Sequence, residues 1–275
     1  LNQKPYKRII VLVSGALMNL ILAFVVIALM FAVYGEQRVQ VVKTAESVSS
    51  GYTDFMLEDG DVIDRVNGRY IVFANDLGVA LKGKKAGDTV KVSVLRNGKY
   101  KTLQVKLVRD ITGNSSEHYG ALGIGEEFDE SGKLIRINAK TSNVRFGFFK
   151  TVGDCFVYHF KLASSIFRVI GQLLTGKLGL TSLGGPITTV KQTANMVRVG
   201  GFASFLQITA FIGVNLGVFN LLPLPALDGS HVVFTLIEWI RKKPINRKAE
   251  AIIHLCGFIF LLGFAVLVDV LQFFA

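Results

Sequence analysis

The stretch that decides the fold is Asn220–His231, which reads Asn-Leu-Leu-Pro-Leu-Pro-Ala-Leu-Asp-Gly-Ser-His. It ends an apolar run, residues 201–227, that contains no charged side chain. Pro223 and Pro225 predict a break in a helix, because each proline lacks a backbone donor and leaves a carbonyl one turn earlier without its helical partner. In lipid, such carbonyls must find protein groups or water in a cavity.

The carboxylate of Asp228 follows this break at once. The carbonyls that the two prolines free are those of Phe219 and Leu221, so this end of the apolar run is expected to be unusually polar. A carboxylate at membrane depth is costly, and it therefore indicates a functional site. We expect a polar partner, most simply a cation, opposite Asp228.

The composition predicts membrane segments joined to a water-soluble module. The 275 residues are 51% hydrophobic and 19% charged, with a mean hydropathy of +0.45. The net charge of +11 could indicate a nucleic acid partner. However, many of the Lys and Arg residues flank apolar runs, where they orient helices and contact anionic lipid, so we predict the lipid bilayer as partner and no nucleic acid. Cys155 and Cys256 lie in apolar contexts, which favours buried side chains over a disulfide or metal site.

Three apolar stretches predict an α-helical polytopic membrane protein with three spans, since about 20 apolar residues cross a bilayer. Short basic segments favour the cytoplasmic side of a membrane, so we place both basic segments of this chain, residues 1–8 and 241–250, in the cytoplasm. A fourth crossing at 146–174 would break this parity, and that stretch carries charges, so it is predicted as an amphipathic helix on the membrane surface. The predicted division is a basic cytoplasmic segment 1–8, a span 9–34, a soluble domain 38–110, a linker with surface helices 111–200, a broken span 201–240, a basic cytoplasmic loop 241–250 and a span 251–274.

Alternation of apolar and polar residues predicts a small α+β domain at 38–110. Its predicted elements are strands at Val62–Val66, Val90–Arg96 and Lys101–Val108, a helix at Ala74–Lys82, and tight turns at Asn67-Gly68 and Asn97-Gly98. The order of these elements, with the phrases EDGDVIDRVNG (58–68) and AGDTVKVSVLRNG (86–98), resembles a PDZ domain. The preceding stretch lacks a Gly-Leu-Gly-Phe-type loop, so the resemblance does not extend to capture of a peptide carboxyl terminus.

The linker predicted after this domain has two parts. Up to residue 145 it is polar, with one or two edge strands. Beyond that point we predict the surface helix Phe146–Leu174, a loop at Gly184-Gly185-Pro186 and a short helix, Ile187–Val199.

The whole pattern resembles the site-2 proteases, and specifically the bacterial regulator-of-sigma-E-protease branch. The Leu-Asp-Gly motif of that family matches Leu227-Asp228-Gly229, and its Asn-x-x-Pro-x-Pro phrase matches Asn220, Pro223 and Pro225. The segment KPYKRIIVLVSGALMN (4–19) is similar to the part that follows the active-site helix, although Ala16 stands where proline is common.

This resemblance implies an intramembrane zinc metalloprotease in which Asp228 is a Zn²⁺ ligand. It also implies that Asn220, with Pro223 and Pro225, holds the backbone of the substrate. Asn220 could equally satisfy the carbonyls that the prolines free. Asn19 either faces a polar cavity beside the site or hydrogen-bonds a neighbouring helix.

The sequence departs from the family in one respect. Zinc in a catalytic site takes three protein ligands, and the family draws two of them, with the general base, from His-Glu-x-x-His. The four histidines are His118, His159, His231 and His254, and none is followed immediately by a glutamate. His231 lies one turn after Asp228 and could chelate a metal with it, but we interpret it as a hydrogen-bond partner near the helix start.

Two explanations of the missing motif are open: an absent N-terminal helix that carries the other zinc ligands, or an inactive relative. Because the chain begins with Leu1 in a polar segment, we expect the former, with these 275 residues inactive by themselves.

The expected function is cleavage of single-span membrane proteins, such as an anti-sigma factor or a signal-peptide remnant, in a bacterial inner membrane. The PDZ-like domain would lie outside the cytoplasm and exclude bulky substrates. Two alternatives are a scaffold without enzymatic activity, which binds partners through that domain, and a transporter with a broken helix. The transporter is disfavoured because a second, matched broken helix would be expected.

Overall fold

The structure is a computed structural model that describes residues 4–42, 57–72, 74–107, 110, 118, 121–122, 124, 126–128, 134–137, 139–179 and 184–274. The chain divides into two compact units, one made of Leu1–Tyr34 with Gly147–Ala275 and the other of Gly35–Phe146. The first is the helical unit and the second is the sheet unit. Segment 43–56, where a PDZ carboxylate-binding loop is expected, lies outside the described residues.

Within the described ranges, the strands and one short helix belong to the sheet unit, and the other helices belong to the helical unit. The helices are α1 Pro5–Tyr34, α2 Ala74–Ala80, α3 Phe148–Leu174, α4 Pro186–Leu221, α5 Asp228–Arg241 and α6 Arg247–Phe274. The strands are β1 Glu36–Val41, β2 Val62–Val66, β3 Arg69–Tyr70, β4 Thr89–Arg96, β5 Lys99–Lys106, β6 Glu126–Phe128, β7 Leu134–Ile137 and β8 Ala139–Val144.

Three helices of the described chain, α1, α4 and α6, are long and apolar enough to span a membrane, as predicted. Their boundaries differ from the predicted ones where charged residues enter the first turn. Helix α1 begins at Pro5 rather than residue 9, because proline suits the first helical position. Helix α6 likewise begins at Arg247, inside the predicted basic loop.

Helices α1 and α4 approach closely through small residues. Ala16 and Ala23 of α1 are fully buried, and they face two glycines of α4. A Cβ on Gly213 would lie 3.0 Å from the Ala23 Cβ, and a Cβ on Gly217 would lie 3.1 Å from the Ala16 carbonyl oxygen. Small residues permit this proximity in membranes, where packing rather than water exclusion joins helices.

The short helix predicted at Ile187–Val199 is present as the first part of α4. The stretch Pro186–Leu221 consists of two helical parts that meet at Gly201, whose φ of 61° and ψ of −149° are not helical. Glycine adopts positive φ without steric cost, so the chain turns there and remains helical on both sides.

The amino terminus of α4 is held by a carboxylate of α6. Asp269 accepts hydrogen bonds from the backbone N–H of Ile187 at 3.1 Å and of Thr188 at 3.4 Å. Gly185 has no side chain to obstruct this approach, since a Cβ there would lie 2.8 Å from the Asp269 nitrogen. The carboxylate near the end of the last apolar helix therefore satisfies donors that begin another helix.

Helix α3 is amphipathic. Its inner face buries Cys155, Tyr158, Leu162 and Ile166. Its outer face exposes a row of aromatic side chains, Phe149, Phe156, Phe160 and Phe167. Of the two cysteines predicted to be buried, Cys155 is buried, whereas Cys256 is exposed on the apolar helix α6.

The sheet unit is an antiparallel sheet in the order β5-β4-β2-β1-β8, with β3 paired to β2, and β6 and β7 form a separate hairpin. Asn67-Gly68 and Asn97-Gly98 have positive φ at both residues, which confirms the two predicted tight turns. The predicted limits 38–110 were too narrow. The unit extends over Gly35–Phe146, because β8 returns to pair with β1 along its whole length.

A buried ion pair supplements the apolar core of the sheet unit. Arg96 donates from Nε and Nη2 to the fully buried carboxylate of Asp61, at 2.7 Å in each case, and also contacts Glu58. The hydrogen bond to Asp61 raises the pKa of Arg96. The guanidinium therefore stays charged and joins β4 to the turn before β2.

Candidate functional site

The predicted helix break is present between α4 and α5. Helix α4 ends at Leu221 and α5 begins at Asp228, with Pro223 and Pro225 in the irregular segment between them, which we call the proline segment (222–227). The Phe219 carbonyl, predicted to be free, accepts a hydrogen bond from the backbone N–H of Leu222 at 2.9 Å. A tightened last turn thus satisfies one of the two carbonyls that the prolines release.

The proline segment is tightly folded. Within it, the N–H of Leu224 donates to the carbonyl of Leu222 at 2.8 Å, and the N–H of Leu227 donates to the carbonyl of Leu224 at 3.1 Å. Ala226 has a φ of 79°, which is uncommon for a residue with a Cβ and indicates that its surroundings impose the conformation.

Gly229 is required by the return of the chain over α4. A Cβ at this position would lie 2.6 Å from the carbonyl oxygen of Leu221 and would overlap that of Leu222. Both atoms belong to the backbone and cannot move independently. The glycine of the Leu-Asp-Gly motif therefore permits the first turn of α5 to pack against the end of α4.

Asp228 is the first residue of α5 and is partly exposed. Backbone N–H groups at a helix amino terminus favour a negative charge nearby. Within the described residues, however, no hydrogen bond or ion pair reaches its carboxylate oxygens. The carboxylate thus remains available for a cation.

His231 faces helix α6 rather than Asp228. Its Nδ1 lies 3.0 Å from Oε1 of Glu250, and its ring stacks on that of His254 with 3.9 Å between the centroids and 18° between the planes. We predicted that His231 is a hydrogen-bond partner near the helix start, and any link between His231 and zinc stays a prediction. The structure adds that its partner, Glu250, lies on another helix.

His254 joins α6 to the proline segment. Its Nδ1 accepts a hydrogen bond from the backbone N–H of Ala226 at 3.1 Å, and its Nε2 lies 3.5 Å from Oγ of Ser230. One turn later, Gly257 lies so close to Pro225 that a Cβ would be 2.7 Å from the proline carbonyl oxygen. Helix α6 therefore supports the segment that leads to Asp228.

Sequence reasoning missed Glu250 and His254 as members of this region. Their spacing of four residues, with a glutamate and a histidine on one face of a helix, was the available signal. The His-Glu-x-x-His pattern does not detect it, because Ala249 precedes Glu250 and three residues, not two, lie between Glu250 and His254.

The structure does not bring all the predicted residues together. Asn220 lies in the last turn of α4 and is partly exposed. Asn19 lies on α1 level with Gly213, since its carbonyl oxygen is 3.5 Å from a Cβ built on that glycine. Seven residues separate Gly213 from Asn220, which is about 10 Å along a helix. Roles for Asn19, Asn220, Pro223 and Pro225 at the site stay predictions.

A polar cleft of about 830 Å³ opens beside the proline segment. Its wall includes Ala226, His231, Glu250 and His254, with Arg8 and Glu238 further along. The last two residues form an ion pair of 2.6 Å, which joins the start of α1 to α5.

The donor set around Asp228 fits zinc in kind but supplies one ligand of it. A carboxylate oxygen is an accepted zinc donor, and a catalytic site needs three protein ligands. His231, the nearest histidine in sequence, is engaged with Glu250. A zinc ion at Asp228 would need two further ligands from other residues.

Comparison with known proteins gives a family match over nearly the whole chain. The model of Peptidase family M50 matches residues 1–264. The chain is 29% identical over 264 residues to the regulator of sigma-W protease RasP of Bacillus subtilis, covering 95% of this chain and 58% of that protein. It is 28% identical over 261 residues to the zinc metalloprotease RasP of Bacillus licheniformis, with the same coverage of each chain.

Further similarities extend beyond Bacillus. A candidate zinc metalloprotease of Agrobacterium fabrum is 28% identical over 267 residues, which cover 96% of this chain and 68% of that protein. The chain thus spans between 58% and 68% of the length of these relatives. Among solved structures, the PDZ domain of the SdrC-like protein of Listeria monocytogenes covers 37% of this chain and 82% of its own, with 19% identity and a TM-score of 0.22.

Proposed function

This chain belongs to peptidase family M50, the site-2 protease family, and on that premise we propose that it is part of a zinc-dependent intramembrane endopeptidase. The observation that carries the proposal is the carboxylate of Asp228, which follows a helix break, has no partner among the described residues and lies in a unit with three helices apolar enough to span a membrane. A free carboxylate in such surroundings is costly without a cation.

In this proposal Asp228 is one of the protein ligands of Zn²⁺. When bound, the metal supplies a Lewis acid and a water of lowered pKa for attack on a peptide carbonyl. The residues of this chain then perform the remaining work. Gly229 holds α5 against the end of α4, and His254 and Gly257 support the proline segment from α6, so the position of the Asp228 backbone is fixed from two sides.

The proline segment is proposed to receive the substrate. Because residues 222–227 are outside any helix, they can offer backbone donors and acceptors to an extended substrate strand. Asn220 lies two residues before this segment, in the last turn of α4, where its amide could pair with the same strand. Pro223 and Pro225 keep the segment from becoming helical.

The other two ligands and the general base are proposed to come from a His-Glu-x-x-His segment outside these 275 residues. The support is chemical: one carboxylate cannot hold a catalytic zinc by itself, and no histidine of this chain is followed immediately by a glutamate. The test is to read the coding sequence upstream of Leu1. A complete reading frame without that motif would overturn the proposal of an active enzyme.

The proposed membrane arrangement has α1, α4 and α6 as three spans in a bacterial inner membrane, with both basic segments on the cytoplasmic side. Helix α3 would lie at the membrane surface, and the exposed aromatic row of Phe149, Phe156, Phe160 and Phe167 supports this placement. The sheet unit, a PDZ-like domain by its order of elements, would lie outside the cytoplasm.

The proposed substrates are single-span membrane proteins, of which an anti-sigma factor is one. A relative named as a regulator of sigma-W supports this class. The sheet unit would act as a filter that admits substrates already trimmed by another protease.

The decisive experiment substitutes Asp228 in the full-length protein. Asp228→Ala should lower the zinc content measured by mass spectrometry of the purified protein. It should also abolish cleavage of a single-span reporter substrate, because the metal loses a ligand. Asp59→Asn, an exposed acidic residue of the sheet unit, is the matched control and should leave both unchanged. Undiminished cleavage by Asp228→Ala would refute the ligand role.

A further inference from the structure

A second group of metal-ligating side chains lies where α5 and α6 meet. His231, Glu250 and His254 each present one ligand atom, and the three atoms lie within 4.8 Å of one another. The proposed protease site takes Asp228 as its metal ligand and none of these three, although His254 supports the proline segment. We name the group the His–Glu–His cluster.

The chemistry of the cluster suits a divalent transition metal. Two imidazoles and one carboxylate are a ligand set that zinc accepts, with bonds of about 2.0–2.2 Å that place tetrahedral ligand atoms roughly 3.4 Å apart. His231 Nδ1 and Glu250 Oε1 are already 3.0 Å apart. Glu250 and His254 lie one turn apart on α6, so they project from the same face. The His254 ring is stacked on that of His231, so it must turn out of this stack before both imidazoles can reach one ion.

The cluster is also open to ions. All three side chains are partly exposed and line the cleft of about 830 Å³. Arg8, a cation on the same wall, is neutralised by its ion pair with Glu238. The carboxylate of Glu250 supplies the negative charge that favours a cation in the cluster.

His254 cannot serve a metal ion and the proline segment at the same time. In the structure its Nδ1 lone pair accepts the Ala226 N–H. The proton of the neutral ring is then on Nε2, which faces Ser230 Oγ, and that hydroxyl donates in turn to the Leu227 carbonyl at 2.8 Å. An ion on Nδ1 would displace the Ala226 N–H. An ion on Nε2 would move the proton to Nδ1, where it would oppose the same N–H.

We propose that His231, Glu250 and His254 form a binding site for a divalent transition-metal ion, distinct from Asp228, whose occupation releases Ala226 from His254. Ala226 is held at a positive φ and lies two residues before Asp228. Losing its hydrogen bond frees the proline segment from one of its two supports on α6. The ion would therefore act on the segment proposed to receive the substrate.

Metal binding is tested first with Co²⁺ on the full-length protein, purified in detergent and stripped of metal with a chelator. Binding is followed by calorimetry and by the visible absorption of cobalt. Glu250→Gln keeps the size of the side chain but removes its charge. The affinity for one equivalent of Co²⁺ should therefore fall by about 100-fold or more. Glu58→Gln, on the sheet unit, is the matched control and should bind as the unsubstituted protein does. Unchanged binding by both Glu250→Gln and His254→Ala would overturn the proposal.

Asp228→Ala separates this site from the proposed protease site. The Asp228→Ala variant should still bind the equivalent of Co²⁺ that depends on Glu250, whether or not it loses a second equivalent at the proposed protease site. If Asp228→Ala loses nothing while Glu250→Gln loses one equivalent, the protease proposal fails and this one stands. The reverse pattern overturns this proposal and leaves the other intact.

Release of Ala226 is tested by amide hydrogen exchange. Co²⁺ should accelerate exchange in the peptide that contains Ala226 by about fivefold, the factor that corresponds to loss of one hydrogen bond. The acceleration should be absent in Glu250→Gln and present in Glu58→Gln. Unaltered exchange on saturation with Co²⁺ would refute the coupling between the ion and the proline segment.

Discussion

At the scale of single residues, Gly229 is a position where the surrounding backbone leaves no room for a side chain. Its missing Cβ would meet two carbonyl oxygens, those of Leu221 and Leu222, rather than the end of a flexible side chain. The Leu221 oxygen cannot move without unwinding the last turn of α4, and the Leu222 oxygen accepts a hydrogen bond from the N–H of Leu224 inside the proline segment. The close contact therefore couples the shape of the helix break to the direction in which α5, and with it Asp228, begins.

Gly229→Ala should destabilise the helical unit by about 1–3 kcal/mol or more, the usual cost of overpacking. It should also reduce the zinc content of the full-length protein, because α5 must shift together with Asp228. Thermal unfolding in detergent and metal analysis measure the two effects. Gly263→Ala in α6 is the control, since nothing lies within 4 Å of a Cβ there. Equal stability of the two variants would contradict the steric argument.

The sequence predicts local features of this region well and distant contacts poorly. The break followed from Pro223 and Pro225, whose chemistry excludes a helix without reference to the rest of the chain. The hydrogen bond from Ala226 to His254 joins residues 28 apart in sequence, and no local pattern encodes it. For the same reason the positive φ of Ala226 was unexpected: a non-glycine residue adopts it because of its neighbours in space.

At the scale of elements, the pairing of α1 with α4 depends on small residues rather than on large apolar ones. Ala16, Ala23, Gly213 and Gly217 bring the two helices together, and lipid offers no hydrophobic force that could replace this packing. The sequence indicated only that Asn19 faces a polar cavity or hydrogen-bonds a neighbouring helix. It did not reveal the partner helix, which lies almost 200 residues later.

Gly217→Leu should separate α1 from α4 and lower the thermal unfolding temperature of the helical unit in detergent. The reason is that its side chain would meet the Ala16 carbonyl oxygen, 3.1 Å from a Cβ, and the side chain of Leu20. Gly15→Leu on α1 is the control, because nothing lies within 4 Å of a Cβ at that position. A larger effect from the control than from Gly217→Leu would refute this account of the contact.

The strands show the same limit of sequence reasoning. The hairpins were predicted because Asn67-Gly68 and Asn97-Gly98 determine their turns locally. The pairing of β1 with β8, in which Glu36 lies opposite Val144, was not predicted. Residues 42–138 separate the two strands, and the polar composition of the part after residue 110 resembles that of a linker. The sheet unit was therefore predicted too short at its carboxyl end.

At the scale of the whole molecule, this pairing determines how the sheet unit can be removed. Antiparallel partners have Cα atoms about 5 Å apart, so the two ends of the unit, at Glu36 and Val144, are neighbours. Its core and ion pairs are internal to residues 35–146, as expected of a domain inserted between two helices. A short Gly-Ser linker can therefore replace residues 36–144 without stretching the chain.

This deletion tests the proposed division of labour between the two units. In the full-length protein, it should leave zinc binding and hydrolysis of a short, trimmed reporter intact, because the proposed metal ligand and the proline segment belong to the helical unit. Cleavage of a reporter with an intact outer domain should rise from background to a measurable rate, because the filter is gone.

Substitution of Asp61 by Asn supplies a milder comparison. Removing one charge of a buried pair costs about 3–5 kcal/mol, so it should destabilise the sheet unit in place and keep the chain length. Loss of hydrolysis in the deletion with retained zinc would show that the sheet unit takes part in catalysis rather than in selection.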